Sequence, residues 1–171
     1  VREAVDLCTR RITSRYPGFR FTWVPLHNDL YTAQGERAAE FTFPYADADF
    51  DFAWATSVFT HMDREEVARY LAETRRVMRP GGRFLATFFL MDDDAQRASQ
   101  GGAYGFPVER DGVWYMDPNV VGANVAFRPE EVESMARAAG WEGVEIHYGR
   151  WSGRRGPTFD FQDVVVLRTS N

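Results

Sequence analysis

The stretch that decides the fold runs Phe43-Pro44-Tyr45-Ala46-Asp47-Ala48-Asp49-Phe50-Asp51-Phe52-Ala53-Trp54-Ala55-Thr56-Ser57-Val58-Phe59-Thr60-His61-Met62 and resumes at Arg76-Val77-Met78-Arg79-Pro80-Gly81-Gly82-Arg83-Phe84. Phe50 to Thr56 is short, apolar and aromatic, the pattern of a buried strand. Asp63 offers an N-cap, and Glu66 three residues later completes a capping box. Val67, Tyr70, Leu71, Thr74, Val77 and Met78 then recur at helical spacing. Pro80-Gly81-Gly82 ends that helix. Arg83 to Met91 follows as a nearly continuous apolar run, as expected of a strand covered on both faces. Strand, helix, strand joined by a short Gly turn is a βαβ unit, which calls for parallel strands and a right-handed crossover.

Upstream, Val1, Ala4, Val5, Cys8 and Ile12 share one helical face, and Pro17-Gly18 ends it. No cap and no initiator Met precede that face, which predicts a chain that continues upstream of Val1. Phe19 to Val24 reads as a short strand. Downstream, residues 92–124 are irregular, with Gly101, Gly102, Gly105, Pro107, Gly112 and Pro118, and read as a lid-like insertion in a single domain spanning 1–171. Pro129 opens another helix that Gly140 stops. Val144 to Tyr148 and Phe161 to Arg168 read as two final strands, with a loop rich in Gly and Arg between them.

The chain has 171 residues, 44% of them hydrophobic and 15% aromatic, enough for one packed core. A net charge of −5 disfavours nucleic acid as a partner. The single cysteine, Cys8, excludes a disulfide within the chain and a multi-Cys metal site. His27, His61 and His147 fit no zinc spacing, so no metal site is expected. The longest apolar run is too short to span a bilayer, and no signal peptide opens the chain. Composition thus points to a cytoplasmic protein with neither a membrane nor a nucleic-acid partner.

The quoted stretch resembles the fourth-strand region of class I S-adenosylmethionine-dependent methyltransferases. In that family an aromatic-Asp pair opens the strand, a small-polar loop and a helix follow, and an R-V-L-x-P-G-G turn leads into the fifth strand. Met78 stands here in place of Leu. Tyr148-Gly149-Arg150-Trp151 and Phe161-Gln162-Asp163-Val164 resemble the last two strands of one bacterial branch. The resemblance implies an α/β, Rossmann-like sheet in the order 3-2-1-4-5-7-6 with a C-terminal antiparallel hairpin. The cofactor would lie across the carboxyl ends of the strands, where open α/β sheets bind ligands.

Two parts of the family pattern have no match. The family's acidic-x-Gly-x-Gly-x-Gly loop, whose backbone must come close to the ligand, is absent. So is the acidic residue that bonds the ribose. Gly101-Gly102-Ala103-Tyr104-Gly105 is the densest glycine cluster, but it follows the fifth strand and reads as a loop. Val1 to Ile12 instead resembles the helix after the second strand. The expected sheet is therefore incomplete, with the first two strands missing and a gap of roughly 14 Å between the third and fourth strands. An altered N-terminal arrangement or an intermolecular sheet contact, such as a homodimer, is expected at that gap.

The resemblance also nominates residues. Thr56, Ser57 and Val58 follow the fourth strand, where the family contacts the methionine end of the cofactor; the alternative is an ordinary strand-helix loop with capping roles. Val24, Pro25 and Leu26 stand where many members bond adenine. Pro25 can only pack against the ring, which shifts recognition toward His27, Asn28 or Asp29. Asp51 is expected to be structural. His61 is a candidate general base near the transferred methyl, or a helix-entry histidine bonded to backbone. Arg150, Arg154 and Arg155 could clamp an acidic substrate or simply be solvated. The expected activity is S-adenosylmethionine-dependent methyl transfer to a small molecule by the parent protein. The alternative is a methyltransferase-like fragment that serves in assembly without catalysis.

Overall fold

The structure is a computed structural model, and it describes residues 2–99 and 104–170. The glycine cluster named above falls largely on residues outside that range, as does Val1. The main sheet has four strands: β1 (Phe50–Ala55), β2 (Met78–Phe88), β6 (Gly143–His147) and β7 (Asp163–Arg168), in the order β1-β2-β7-β6. β1 and β2 are parallel, and β7 is antiparallel to both β2 and β6. This is the right-hand half of the expected order, hairpin included.

Helix α2 (Arg64–Val77) makes the crossover. Asp63 accepts from the Glu66 amide and Glu66 accepts from the Asp63 amide, the reciprocal box read from the sequence. The Pro-Gly-Gly segment does not lie flat in the ladder. Phe50 pairs with Met78 and Phe52 with Arg83, so the residues between bulge out of β2. Gly82 is required there, because a Cβ would come within 2.8 Å of the Arg79 carbonyl.

One face of the sheet is fully covered. Val67 and Leu71 of α2 and Val132 and Ala136 of α4 (Pro129–Ala138) pack with Phe84, Ala86, Val165 and Leu167. Trp141 seals this layer: it stacks on Phe84 at 5.9 Å, and its indole N–H donates to the Leu71 carbonyl at 3.1 Å. The opposite face is open. Phe52 and Trp54 stack on each other there at 52% and 67% exposure, and no described strand pairs with the outer edge of β1.

Two expectations require correction. Phe19 to Val24 forms no strand. With no described strand beside it, its backbone has no ladder to join, and the segment runs as coil into an isolated bridge between Leu26 and Glu36. The N-terminal helix is present as α1 (Arg2–Cys8), prolonged by a π-helical turn over Thr9–Thr13. None of its side chains is buried. The second correction concerns the irregularity read for residues 92–124. They hold α3 (Asp93–Ala98), β3 (Val108–Arg110) and β4 (Val113–Tyr115). With β5 (Val125–Phe127) these strands form an antiparallel three-stranded sheet. It is tied to the end of β2 by Phe127 donating to the Phe89 carbonyl and Met91 donating to that of Phe127. An aromatic cluster of Phe89, Phe106, Trp114 and Trp151 supplies its core.

Trp141→Ala should cost about 3–5 kcal/mol in urea denaturation, because it opens a cavity and removes the indole's hydrogen bond to the Leu71 carbonyl. Trp54→Ser, on the open face, should stay within about 0.5 kcal/mol.

Candidate functional site

The loop that leaves β1 is held in an unusual backbone conformation. Ser57 has φ of 53°, in the left-handed region that side-chain-bearing residues seldom adopt. Its amide donates to Thr87 Oγ1 at 2.8 Å, and its hydroxyl donates to Gln162 Oε1 at 3.1 Å. Thr87 in turn donates to Gln162 at 2.6 Å. Two segments distant in sequence thus clamp this turn at the carboxyl end of the parallel pair. Strain of this kind persists where surrounding structure over-determines it, and it concentrates at functional sites.

Beyond the turn, a 3-10 turn over Phe59–His61 carries His61 into a cavity of about 240 Å³. Leu26, Tyr31, Ser57, Val58, Glu66 and Tyr70 are among the residues that line it. The His61 ring meets Tyr31 edge-on at 6.0 Å. Its Nδ1 lies 2.7 Å from the Gly122 carbonyl. A carbonyl can only accept, so Nδ1 carries a proton, and in the neutral ring Nε2 is then the nitrogen with the free lone pair. Gly122 belongs to a second 3-10 turn, Val121–Ala123, in the segment read as a lid.

Burial raises the Glu66 carboxyl above its ordinary value of 4.5. The Asp63 amide opposes this, while Asp63 and Asp29 add repulsion. Desolvation pushes the Tyr70 hydroxyl up to about 12, so it stays a neutral phenol. The lining is therefore apolar and aromatic with few polar groups, the usual make-up of a small-molecule site.

The nominated residues divide. Leu26, Ser57, Val58 and His61 converge on this cavity. Val24 and Pro25 line an adjoining one of about 810 Å³, together with Trp23 and Gly35. Leu26, Asn28 and Tyr31 are common to both cavities. Thr56 lines neither. Asp51 pairs with Arg79 at 2.8 Å on the surface, as its structural reading requires. Arg154 bonds both Asp92 oxygens at 2.7 Å and lies over Tyr148, so it is committed to the fold. Sequence reasoning did not single out Tyr31, Gly122, Thr87 or Gln162, which reach the site only through tertiary contacts.

The profile of a family described as "Methyltransferase domain" matches residues 23–86, the segment running from Trp23, in the wall of the adjoining cavity, to near the end of β2. The solved structures agree with it. The chain has the class I methyltransferase fold. It resembles a SAM-dependent methyltransferase from Methanosarcina mazei at a TM-score of 0.55 and 18% identity, over 99% of this chain and 79% of that one. Another, from Thermotoga maritima, gives 0.50 and 18%, covering 80% of this chain and 63% of its own. Human N-acetylserotonin methyltransferase in complex with SAM gives 0.52 and 14%, covering 81% and 33%. The chain thus spans between a third and two thirds of the length of the latter two.

The residues present suit one flank of such a cofactor. Leu26, Val58 and Tyr31 form an apolar and aromatic wall of the kind that packs on a purine, and the Ser57 turn sits at the strand ends.

Glu66→Gln keeps the capping box, since Gln also accepts at that position, and removes the buried charge. The raised carboxyl binds its proton more tightly folded than unfolded, so the wild type loses stability as pH rises from 4.5 through the raised value. The variant should therefore melt no lower than the wild type at neutral pH, and that margin should shrink as pH falls through the same window in thermal scans.

Proposed function

We propose that this chain is the acceptor-side part of an S-adenosylmethionine-dependent methyltransferase acting on a small molecule, with His61 as its proton acceptor. The observation that carries the reading is the Nδ1–Gly122 hydrogen bond, which makes Nε2 the basic nitrogen of the neutral ring, on a residue that lines the cavity beside the β1 exit loop.

When bound, the cofactor supplies a sulfonium methyl that is already electrophilic, so the protein's task is alignment, water exclusion and, for a protonated nucleophile, removal of one proton. Leu26, Val58 and Tyr31 form the wall against the adenosine. His61 Nε2 accepts the acceptor's proton, and the Gly122 carbonyl stabilises the charged ring that results. Tyr70, held neutral, and the Glu66 carboxyl set the polarity of the far wall. Hydroxyl, phenol or amine acceptors of modest size match a cavity of about 240 Å³ better than a macromolecule does.

Incubation with methyl-tritiated S-adenosylmethionine and a panel of small phenols, alcohols and amines tests the reading. His61→Ala should lower transfer by about 10²-fold or more, with cofactor affinity in calorimetry unchanged. Unaltered transfer by the variant would remove His61 from the mechanism. Failure of the chain to bind cofactor at millimolar concentration would favour a non-catalytic assembly role.

That second reading has its own support in the open edge of β1 and the exposed Phe52–Trp54 pair. We propose that a second copy of the chain can pair along this edge. Light scattering at rising concentration should then show a dimer that Trp54→Asp weakens, and a monomer throughout would refute it.

A further inference from the structure

We infer that Asp29 is a positioning residue for His61, acting through the Val121–Ala123 turn. The inference rests on the reading of His61 as proton acceptor, but its central observable is independent of turnover.

The first amides of a 3-10 turn have no partner within the turn. Here both are taken by one carboxylate: Val121 donates to Asp29 Oδ2 at 2.7 Å and Gly122 donates to Asp29 Oδ1 at 2.8 Å. An anion at the start of a helical turn also has the favourable sign for the aligned amide dipoles. The carboxylate therefore fixes both the position and the rotation of the Gly122 peptide. That same peptide presents its carbonyl to His61 Nδ1 at 2.7 Å. Asn28, one residue earlier, closes the arrangement from the other side. Its side-chain amide donates to the His61 carbonyl at 3.2 Å, and its oxygen accepts from Leu30 at 3.0 Å. The ring and backbone of His61 are thus both referred to the loop 28–30.

Space at the junction agrees with this. Gly122 is buried, and a Cβ there would meet Asp29 Oδ1 at 2.6 Å and Asn28 Oδ1 at 2.9 Å. The carboxylate reaches the turn only because residue 122 has no side chain. Asp29 itself is exposed, and it is separated from Gly122 by 93 positions in the chain. An exposed acidic residue committed to two distant backbone amides, in a loop that lines the cavity, has a role beyond solvation.

The consequence is chemical. A neutral imidazole exists as two tautomers, and only the one protonated at Nδ1 has a basic Nε2. A single well-placed acceptor shifts that equilibrium by a few-fold to about tenfold. Asp29 holds the acceptor in place, so it selects the tautomer able to take a proton from the methyl acceptor. Through the same bonds it also couples the 92–124 segment to the site.

Long-range ¹H–¹⁵N correlation of the histidine rings tests this on the ¹⁵N-labelled chain, at a pH where the rings are neutral. His27→Gln and His147→Gln assign the signals. The wild type should show His61 predominantly protonated at Nδ1. Asp29→Ala should lower the Nδ1–H to Nε2–H ratio several-fold. Asp29→Asn, of equal size but with one acceptor oxygen, should fall between the two. If Asp29→Ala does not fold, Asp29→Asn carries the same expectation. An unchanged ratio in the folded variant, or an Nε2–H tautomer in the wild type, overturns the inference. A shifted ratio combined with unaltered methyl transfer in His61→Ala would sustain the positioning role and remove only the catalytic reading.

Discussion

The parallel pairing of β1 with β2 is the contact on which the rest of the structure depends. Parallel neighbours cannot be joined by a tight turn, so the chain must cross over, and α2 is that crossover. Once α2 lies across the sheet, its Val67–Leu71 face meets Phe84 and Ala86, and Trp141 closes the layer from α4's side. The same constraint places the β1 exit loop at the strands' carboxyl end. Ser57, Val58 and His61 therefore arrive beside one another without any local motif demanding it.

At that end the site is assembled from contributions that are individually weak. A strained serine is held by a threonine from β2 and a glutamine just before β7. A histidine is oriented by a carbonyl from residues 121–123, and that turn is itself held by an aspartate from the loop 28–30. Burial raises Glu66 and Tyr70 toward their neutral forms.

The two faces of the main sheet are unequal in a way that matters for assembly. One carries the core, and the other displays Phe52 and Trp54. Arg79 pairs with Asp51 at the strand's amino end, next to this surface. An open edge with adjacent exposed aromatics is a place where further backbone can pair. The buried core accordingly lies between α2, β2, α4 and the terminal hairpin.

Sequence alone determined the βαβ unit, the Asp63–Glu66 capping box, α4 and the final hairpin, because each is set by local chemistry. Periodicity, caps and Gly-Gly breaks act within a few residues and leave a direct trace. It also brought Ser57, Val58, Leu26 and His61 forward as candidates. Only the tertiary structure decided that Phe19 to Val24 is not a strand, since a strand exists through its neighbour and that neighbour is not encoded nearby. The sheet hidden in residues 92–124 depends likewise on Phe127 pairing back to Phe89, and its Gly-rich turns masked three-residue strands too short to show a period. Gly122, Thr87 and Gln162 joined the site for the same reason, and so did the hold of Asp29 on the Val121–Ala123 turn. Their roles are hydrogen bonds across tens of residues, and distance in the chain carries no information about distance in space until the sheet has formed.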